Sequence, residues 1–292
     1  MSYILFEIQG GIGKNIMATA VAKSIKDYYR NHKLIIVTAW KDVWLELPFV
    51  DEIRHFQETG GIYDTYIKDQ NVLIFRHDPY ASTEYITRKK HLIEIWCDLF
   101  NIPCTQKIPI LKFNPVEEYN LKNSIQTEKP LLVLQSNGGV NNSPTPRYAW
   151  ARDLPTETTQ RLVDTLSQEF HIFHIRNNNQ FMYEHTQTAE VSLRQAMLLI
   201  KYSKHRLLID SFGQHAAAAF NLPSTVCWIG NSPVTLGYEI HDNIQARFPD
   251  KRTTQSSYLE PYDISGIDTQ YPYNNLQIFD EQKIIDSIIK QG

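Results

Sequence analysis

The chain has 292 residues, 42% of them apolar and 21% charged, with a formal net charge of −3. This is the composition of a globular protein long enough for two domains, too near neutral to present a strong field to a polyanion. No apolar run approaches membrane-spanning length, and three cysteines (Cys97, Cys104, Cys227) without metal-type spacing or a charged-then-apolar leader point to a reducing, cytoplasmic location.

Strand and helix patterns alternate from the start. Residues 3–8 read as a buried strand, 9–15 as a glycine-rich loop, and 16–30 as a helix with Ile16, Ala20, Ala22, Ile25 and Tyr29 at helical spacing. A second strand follows at 34–38, then a short helix near 43–47 stopped by Pro48, and strands at 52–56 and 72–75. Residues 82–100 predict one long helix carrying Ile86, Leu92, Ile93, Ile95, Trp96 and Leu99. Such alternation implies a parallel sheet covered by helices on both faces. Pro103, Pro109, Pro115 and Pro130 stand among polar residues, which is a linker composition.

The second half repeats the alternation, with strands at 131–135 and 171–175 and helices at 156–170 and 192–202. A tight turn, Ser136-Asn137-Gly138-Gly139, ends the first of these strands. Residues 207–230 read as strand, loop, alanine-rich helix and strand, and 280–290 as a last amphipathic helix. The expected domains are 1–115, a linker at 116–129, a second domain at 130–275, and a terminal helix at 276–292.

Strand ends hold the candidate chemistry. Gly10-Gly11-Ile12-Gly13-Lys14-Asn15 lies between a strand and a helix, where glycines let backbone approach a ligand and a helix end offers N–H donors. It is neither a Walker A loop, which needs Ser or Thr at Asn15, nor a dinucleotide fingerprint, which needs glycine at Ile16. It reads as a ligand-facing loop (Gly11, Gly13, Lys14, Asn15) or as a tight turn. Asp210-Ser211-Phe212-Gly213-Gln214-His215 sets a carboxylate and a hydroxyl at a helix start, fitting either a phosphate or sugar site or a plain N-cap. Arg152 and Arg176 are candidates to neutralise a diphosphate. His77 and Asp78, after the strand at 72–75, could accept a proton, or simply form a turn with Pro79. No Asp-x-Asp, zinc spacing or Gly-x-Ser-x-Gly elbow is present.

Two segments together resemble the heptosyltransferase-like branch, family 9, of the GT-B glycosyltransferases: residues 10–20 running on to Leu47-Pro48-Phe49-Val50-Asp51-Glu52-Ile53, and residues 210–230. The resemblance implies an α/β fold of two Rossmann-like domains with parallel sheets facing a central cleft, the first taking an acceptor and the second a nucleotide-sugar. It implies transfer without metal or other cofactor, the nucleotide-sugar being a co-substrate, and a terminal helix that returns to the first domain. Asp210, Ser211, Phe212, Gly213 and His215 match its donor motif. Arg152 stands where the family has a basic residue near the donor phosphates, and Asn137 where a turn meets the donor. Where the family carries an aspartate after Gly13, this chain has Lys14, so the base falls to Asp78 or His77. The expected activity is transfer of a hexose or heptose to a hydroxyl of a saccharide or glycolipid. The alternatives are transfer to hydroxymethyl-pyrimidines in DNA, as in related-looking bacteriophage enzymes, and nucleotide-sugar binding without catalysis.

Overall fold

The computed structural model describes residues 2–58, 60–138, 152–247 and 277–291. Gly139 of the expected turn, and residues 248–275 of the expected second domain, lie outside them. The chain divides into two compact units, Met1–Pro115 and Val116–Gly292.

The first unit is a four-stranded, wholly parallel sheet in the order β3-β2-β1-β4, from β1 (Ser2–Ile8), β2 (Lys33–Thr38), β3 (Glu52–His55) and β4 (Asn71–Phe75). Parallel strands are covered on both faces, so β1 and β2 are continuous apolar runs; Ile4, Phe6, Leu34 and Ile36 are fully buried. The Phe6 ring meets Trp44, Trp96 and Phe100 edge-on at centroid distances of 6.5, 5.5 and 5.6 Å, a geometry that adds to the area each ring buries.

Helix α1 (Ile12–Tyr28) begins inside the glycine run, four residues before the point its apolar spacing predicts. Gly11 is its N-cap, and the Asn15 amide and side-chain Nδ2 both donate to Gly11 O, at 3.2 and 3.1 Å. Gly13, Lys14 and Asn15 are therefore first-turn residues, not loop. The long helix expected over 82–100 is two pieces, α2 (Thr83–Ile86) and α3 (Leu92–Leu99). Arg88 breaks it with φ +55°, a left-handed conformation that ends helices, and His91 Nδ1 restarts it by accepting from the Ile93 amide at 3.3 Å. The short helix expected near 43–47 is a single 3-10 turn at Lys41–Val43.

The expected linker contains a helix, α4 (Pro115–Ser124). It is held to α6 (Leu193–Tyr202) of the second unit by a two-pronged ion pair, Arg194 Nε and Nη2 each donating to Glu117 at 2.7 Å, and by Lys201 on Glu118 at 2.8 Å. Composition hid this helix because its face is charged and its partners lie about 80 residues away.

The second unit is a five-stranded parallel sheet in the order β6-β5-β7-β8-β9: β5 (Leu131–Leu134), β6 (His171–His174), β7 (His205–Ile209), β8 (Thr225–Trp228) and β9 (Asp242–Gln245). Helices α5 (Thr156–Leu166), α7 (Phe212–Ala219) and α8 (Pro233–Leu236) complete it together with α9 (Glu281–Ile289). The last helix packs within the second unit. Ile284 and Ile288 of α9 sit in one core cluster with Leu162, Leu207 and Cys227 of the second unit. Its backbone and a side chain are held there too, since His205 Nδ1 donates to Ile288 O at 2.8 Å and Ser287 Oγ meets Thr225 Oγ1 at 2.7 Å. All three cysteines are free thiols, and no helix among the described residues is long and apolar enough to cross a membrane.

Candidate functional site

In both sheets the chain order reverses beside the unit's first strand: β1 lies between β2 and β4, and β5 between β6 and β7. The carboxyl ends of strands flanking such a reversal are where open α/β sheets take ligands. The candidate residues collect at these two places, one in each unit.

In the second unit, β5 ends in Gln135-Ser136-Asn137-Gly138 and β7 in Asp210-Ser211. Gln135 ties the two ends together: its Nε2 donates to Ser211 Oγ at 3.2 Å and its Oε1 accepts the Gly213 amide at 3.1 Å. A Cβ at Gly213 would lie 2.4 Å from Gln135 Oε1, so a side chain there would push Gln135 off this bond. At Gly138 a Cβ would fall 2.5 Å from Arg152 Cδ and 3.5 Å from Ser211 Oγ. Gly138, Arg152 and Ser211 thus come together, with the Arg152 side chain in the space that a Cβ at position 138 would take. Helix α7 starts here, and Ser211, its N-cap, makes no side-chain cap bond. The Ser211 hydroxyl thus caps none of the first-turn amides, one of which, that of Gly213, is taken by Gln135.

Asp210 is almost fully buried and takes a short hydrogen bond from Asn231 Nδ2. Burial pushes its carboxyl above the usual carboxylate value, opposed by the Arg152 charge and by the Asn231 bond. Asp153 braces the turn by accepting from the Gly138 amide at 2.8 Å and from Asn137 Nδ2 at 3.1 Å. Ser136 donates to Asn137 Oδ1 at 2.8 Å, so its oxygen is left to accept from His174 Nε2 at 2.9 Å. His174 is then neutral with its proton on Nε2; burial, reinforced by the Arg176 charge, holds it down to about 3.

Two expected donor contacts have other work. His215 is buried, its Nδ1 2.9 Å from the Tyr238 hydroxyl, and it helps lock α7 to the chain after α8. Arg176 folds back on its own loop, with Nη1 donating to the carbonyls of Asn177, Asn178 and Gln180 at 3.0, 3.2 and 2.9 Å. Phe212 is half-buried in the first turn of α7.

In the first unit the structure joins two residues that lie 64 positions apart. Lys14 Nζ donates to Asp78 Oδ2 at 2.9 Å. Asp78 Oδ1 accepts the Tyr80 amide at 3.0 Å, capping a 3-10 turn at Pro79–Ala81. The Lys14 side chain is 6% exposed and that of Asp78 54%. Gly10, at φ +106°, gives way to the lysine stem: a Cβ there would sit 3.0 Å from Lys14 Cδ. Asn15 is wholly buried, its Oδ1 accepting from Thr38 Oγ1 at 2.6 Å and Trp44 Nε1 at 3.2 Å. The glycine run is thus folded around its own lysine and asparagine, with Gly11 exposed and Gly13 half-buried at its edge. His77 is exposed and lies edge-on to Phe100.

Gln135, Asp153 and Asn231 were not singled out in the sequence. Gln135 and Asn231 each follow a buried run closely, at the end of a parallel strand, and that position was the available signal. Among the described residues, no three His, Cys, Asp or Glu side chains gather as a metal site.

No protein-family profile matches the chain, and no curated protein matches it in sequence. Solved structures do match in fold. A glycosyl transferase family 9 protein from Veillonella parvula superposes with a TM-score of 0.69 at 9% identity, over 99% of this chain and 96% of that one. ADP-heptose LPS heptosyltransferase II of E. coli gives 0.64 at 13% identity, over 99% and 98%. E. coli heptosyltransferase WaaC with ADP gives 0.55 at 11% identity, over the whole of both chains. The chain therefore has the GT-B fold of these transferases, two Rossmann-like α/β units each built on a parallel sheet.

Proposed function

We propose that this protein is a glycosyltransferase that moves a sugar from a nucleoside-diphosphate donor to a hydroxyl of a saccharide or glycolipid. The observation that carries the reading is the convergence of Gly138, Arg152, Ser211 and Gly213 at the reversal point of the second sheet. An arginine and a helix N-terminus brought to one place suit a diphosphate. Asp210 and Asn231 beside it offer acceptors for sugar or ribose hydroxyls. The fold neighbour with ADP is in keeping with a nucleoside diphosphate there.

In the reaction proposed, the acceptor oxygen bonds to the anomeric carbon as the bond from that carbon to the diphosphate oxygen breaks. The hydroxyl proton passes to Asp78, and the nucleoside diphosphate leaves with the electron pair. Arg152 and the amides at the start of α7 stabilise the charge it gains. Asp78 is the better base than His77 because the structure orients both of its oxygens while leaving half of the side chain open to water.

Calorimetric titration with ADP, GDP, UDP and CDP, then transfer assays with the matching nucleotide-sugars, tests the reading. One diphosphate binding in the micromolar range, with sugar transferred to a glycan or glycolipid, is the expected result. Transfer to hydroxymethylated DNA instead would move the acceptor to nucleic acid. Binding without turnover would leave a nucleotide-sugar-binding protein, and binding of none of the four would end the proposal.

A further inference from the structure

We infer that Lys14 is a positioning residue, which fixes the Asp78 carboxylate for proton transfer and does not itself bind phosphate or an anionic acceptor. The inference rests on Asp78 being the base proposed above.

The geometry separates the two roles. Each Asp78 oxygen receives one fixed donor, Lys14 Nζ at 2.9 Å on Oδ2 and the Tyr80 amide at 3.0 Å on Oδ1. Two donors on different oxygens set the plane of the carboxylate, which a single donor would leave free to rotate. A carboxylate has about four lone-pair sites, so two fixed donors leave acceptor capacity for a substrate hydroxyl. The ammonium is shut in, whereas the carboxylate is half open to water. Its charge lies 5.1 Å from the centre of the Tyr80 ring and 5.5 Å from that of Trp96, and its stem fills the space that Gly10 leaves empty. An incoming anion meets Asp78, not Lys14.

The ring pair also has a use during the reaction. Once Asp78 takes a proton, Lys14 loses its counter-charge while still inside the fold. Two aromatic rings within 6 Å are a setting that stabilises an unpaired ammonium.

The test uses the full chain with whichever donor and acceptor support wild-type transfer. Lys14→Met keeps the length of the stem, and the Asp78 carboxylate it leaves without a cation is half exposed, so water can hydrate it. A base left free to rotate should lower kcat by about 30- to 100-fold, the scale of a misplaced catalytic group. Acceptor KM and nucleoside-diphosphate Kd should stay within about twofold, since in this reading the lysine touches neither ligand. Lys14→Arg should retain more activity than Lys14→Met. In Lys14→Ala, propylammonium should restore a good part of kcat and potassium at equal ionic strength should not, a rescue that a lysine needed only for folding would not show. Wild-type kcat in Lys14→Met, a raised acceptor KM with kcat unchanged, or no rescue of a folded Lys14→Ala would each overturn the inference. A wild type that transfers no sugar would remove the proposed function itself; a working wild type beside an equally fast Lys14→Met removes only the positioning role.

Discussion

At the strand ends of the first unit, charge sits as an open pair, Lys14 enclosed and Asp78 half in water. At those of the second, the carboxylate Asp210 is buried and the cation beside it, Arg152, lies over a glycine. Both units share a parallel sheet, a strand–turn–helix junction and glycines at that junction, and in both the glycines make room for the chain's own side chains: Gly10 for Lys14, Gly138 for Arg152 and Gly213 for Gln135. A glycine run between strand and helix therefore states that something approaches closely, not that the something is a ligand. In the function proposed above, the first unit accepts a proton and the second receives a charged group.

The sharpest way to break this contrast is Asp78→Asn. Loss of the base should cut kcat by about 10²- to 10⁴-fold, the usual contribution of a general base, with nucleoside-diphosphate affinity unchanged in calorimetry. Unaltered turnover would show that the first unit's open carboxylate is not the proton acceptor.

Acidification should separate the units next. His174 and His241 of the second unit are held neutral by burial, down to about 3 and about 4. Their unfolded forms take up protons near 6.5, so between that value and the folded one the unfolded chain binds more protons. Stability is present above about pH 6.5 and is lost as pH falls, by about 2 kcal/mol for each histidine at pH 5. Asp210 acts with the opposite sign: its folded value is raised, so its contribution weakens as pH rises through the unfolded value of 3.8. In the first unit Asp27 and Glu58 are lowered, chiefly by hydrogen bonds from Lys23 and Lys41, and these contributions are lost only as pH falls below the carboxylate range. Hydrogen exchange followed from pH 7 to pH 5, after correction for the intrinsic rate, should show protection in the second unit falling first. Equal loss in both units would contradict the difference in burial.

The smallest of the three effects concerns Arg152. Hydrogen bonds to charged groups contribute about 1.5–3 kcal/mol, so Arg152→Ala should weaken nucleoside-diphosphate binding by about 10- to 100-fold while leaving the first unit's stability alone. An equal Kd for variant and wild type would take Arg152 out of the donor site.

Much of the fold was legible in the sequence because parallel strands announce themselves locally. Leu131-Leu132-Val133-Leu134 and Leu207-Leu208-Ile209 can only be buried strands, and the alternation of such runs with helical spacing gives the layer order. Where prediction slipped, a distant partner or a single dihedral had decided. Arg88 broke a helix that its neighbours favoured, and Glu117 and Glu118 made a helix of an expected linker by pairing with Arg194 and Lys201. The strand-end cluster of Asp210, Ser211 and Gly213 was legible from its motif. Gln135 and Asn231 were not, since only their cross-strand partners distinguish them from any polar residue after a strand.

By itself, the sequence determined the two parallel α/β units, the positions of their strand ends and the residue types gathered there. Apolar periodicity and helix-end chemistry act over a few residues, so they can be read along the chain. Tertiary structure decided which way those residues face: Lys14 inward onto Asp78, His215 onto Tyr238, Arg176 onto its own loop, and the last helix onto the second unit's core. A polar side chain takes the partner that satisfies it out of water, and that partner is set by packing between segments far apart in the chain.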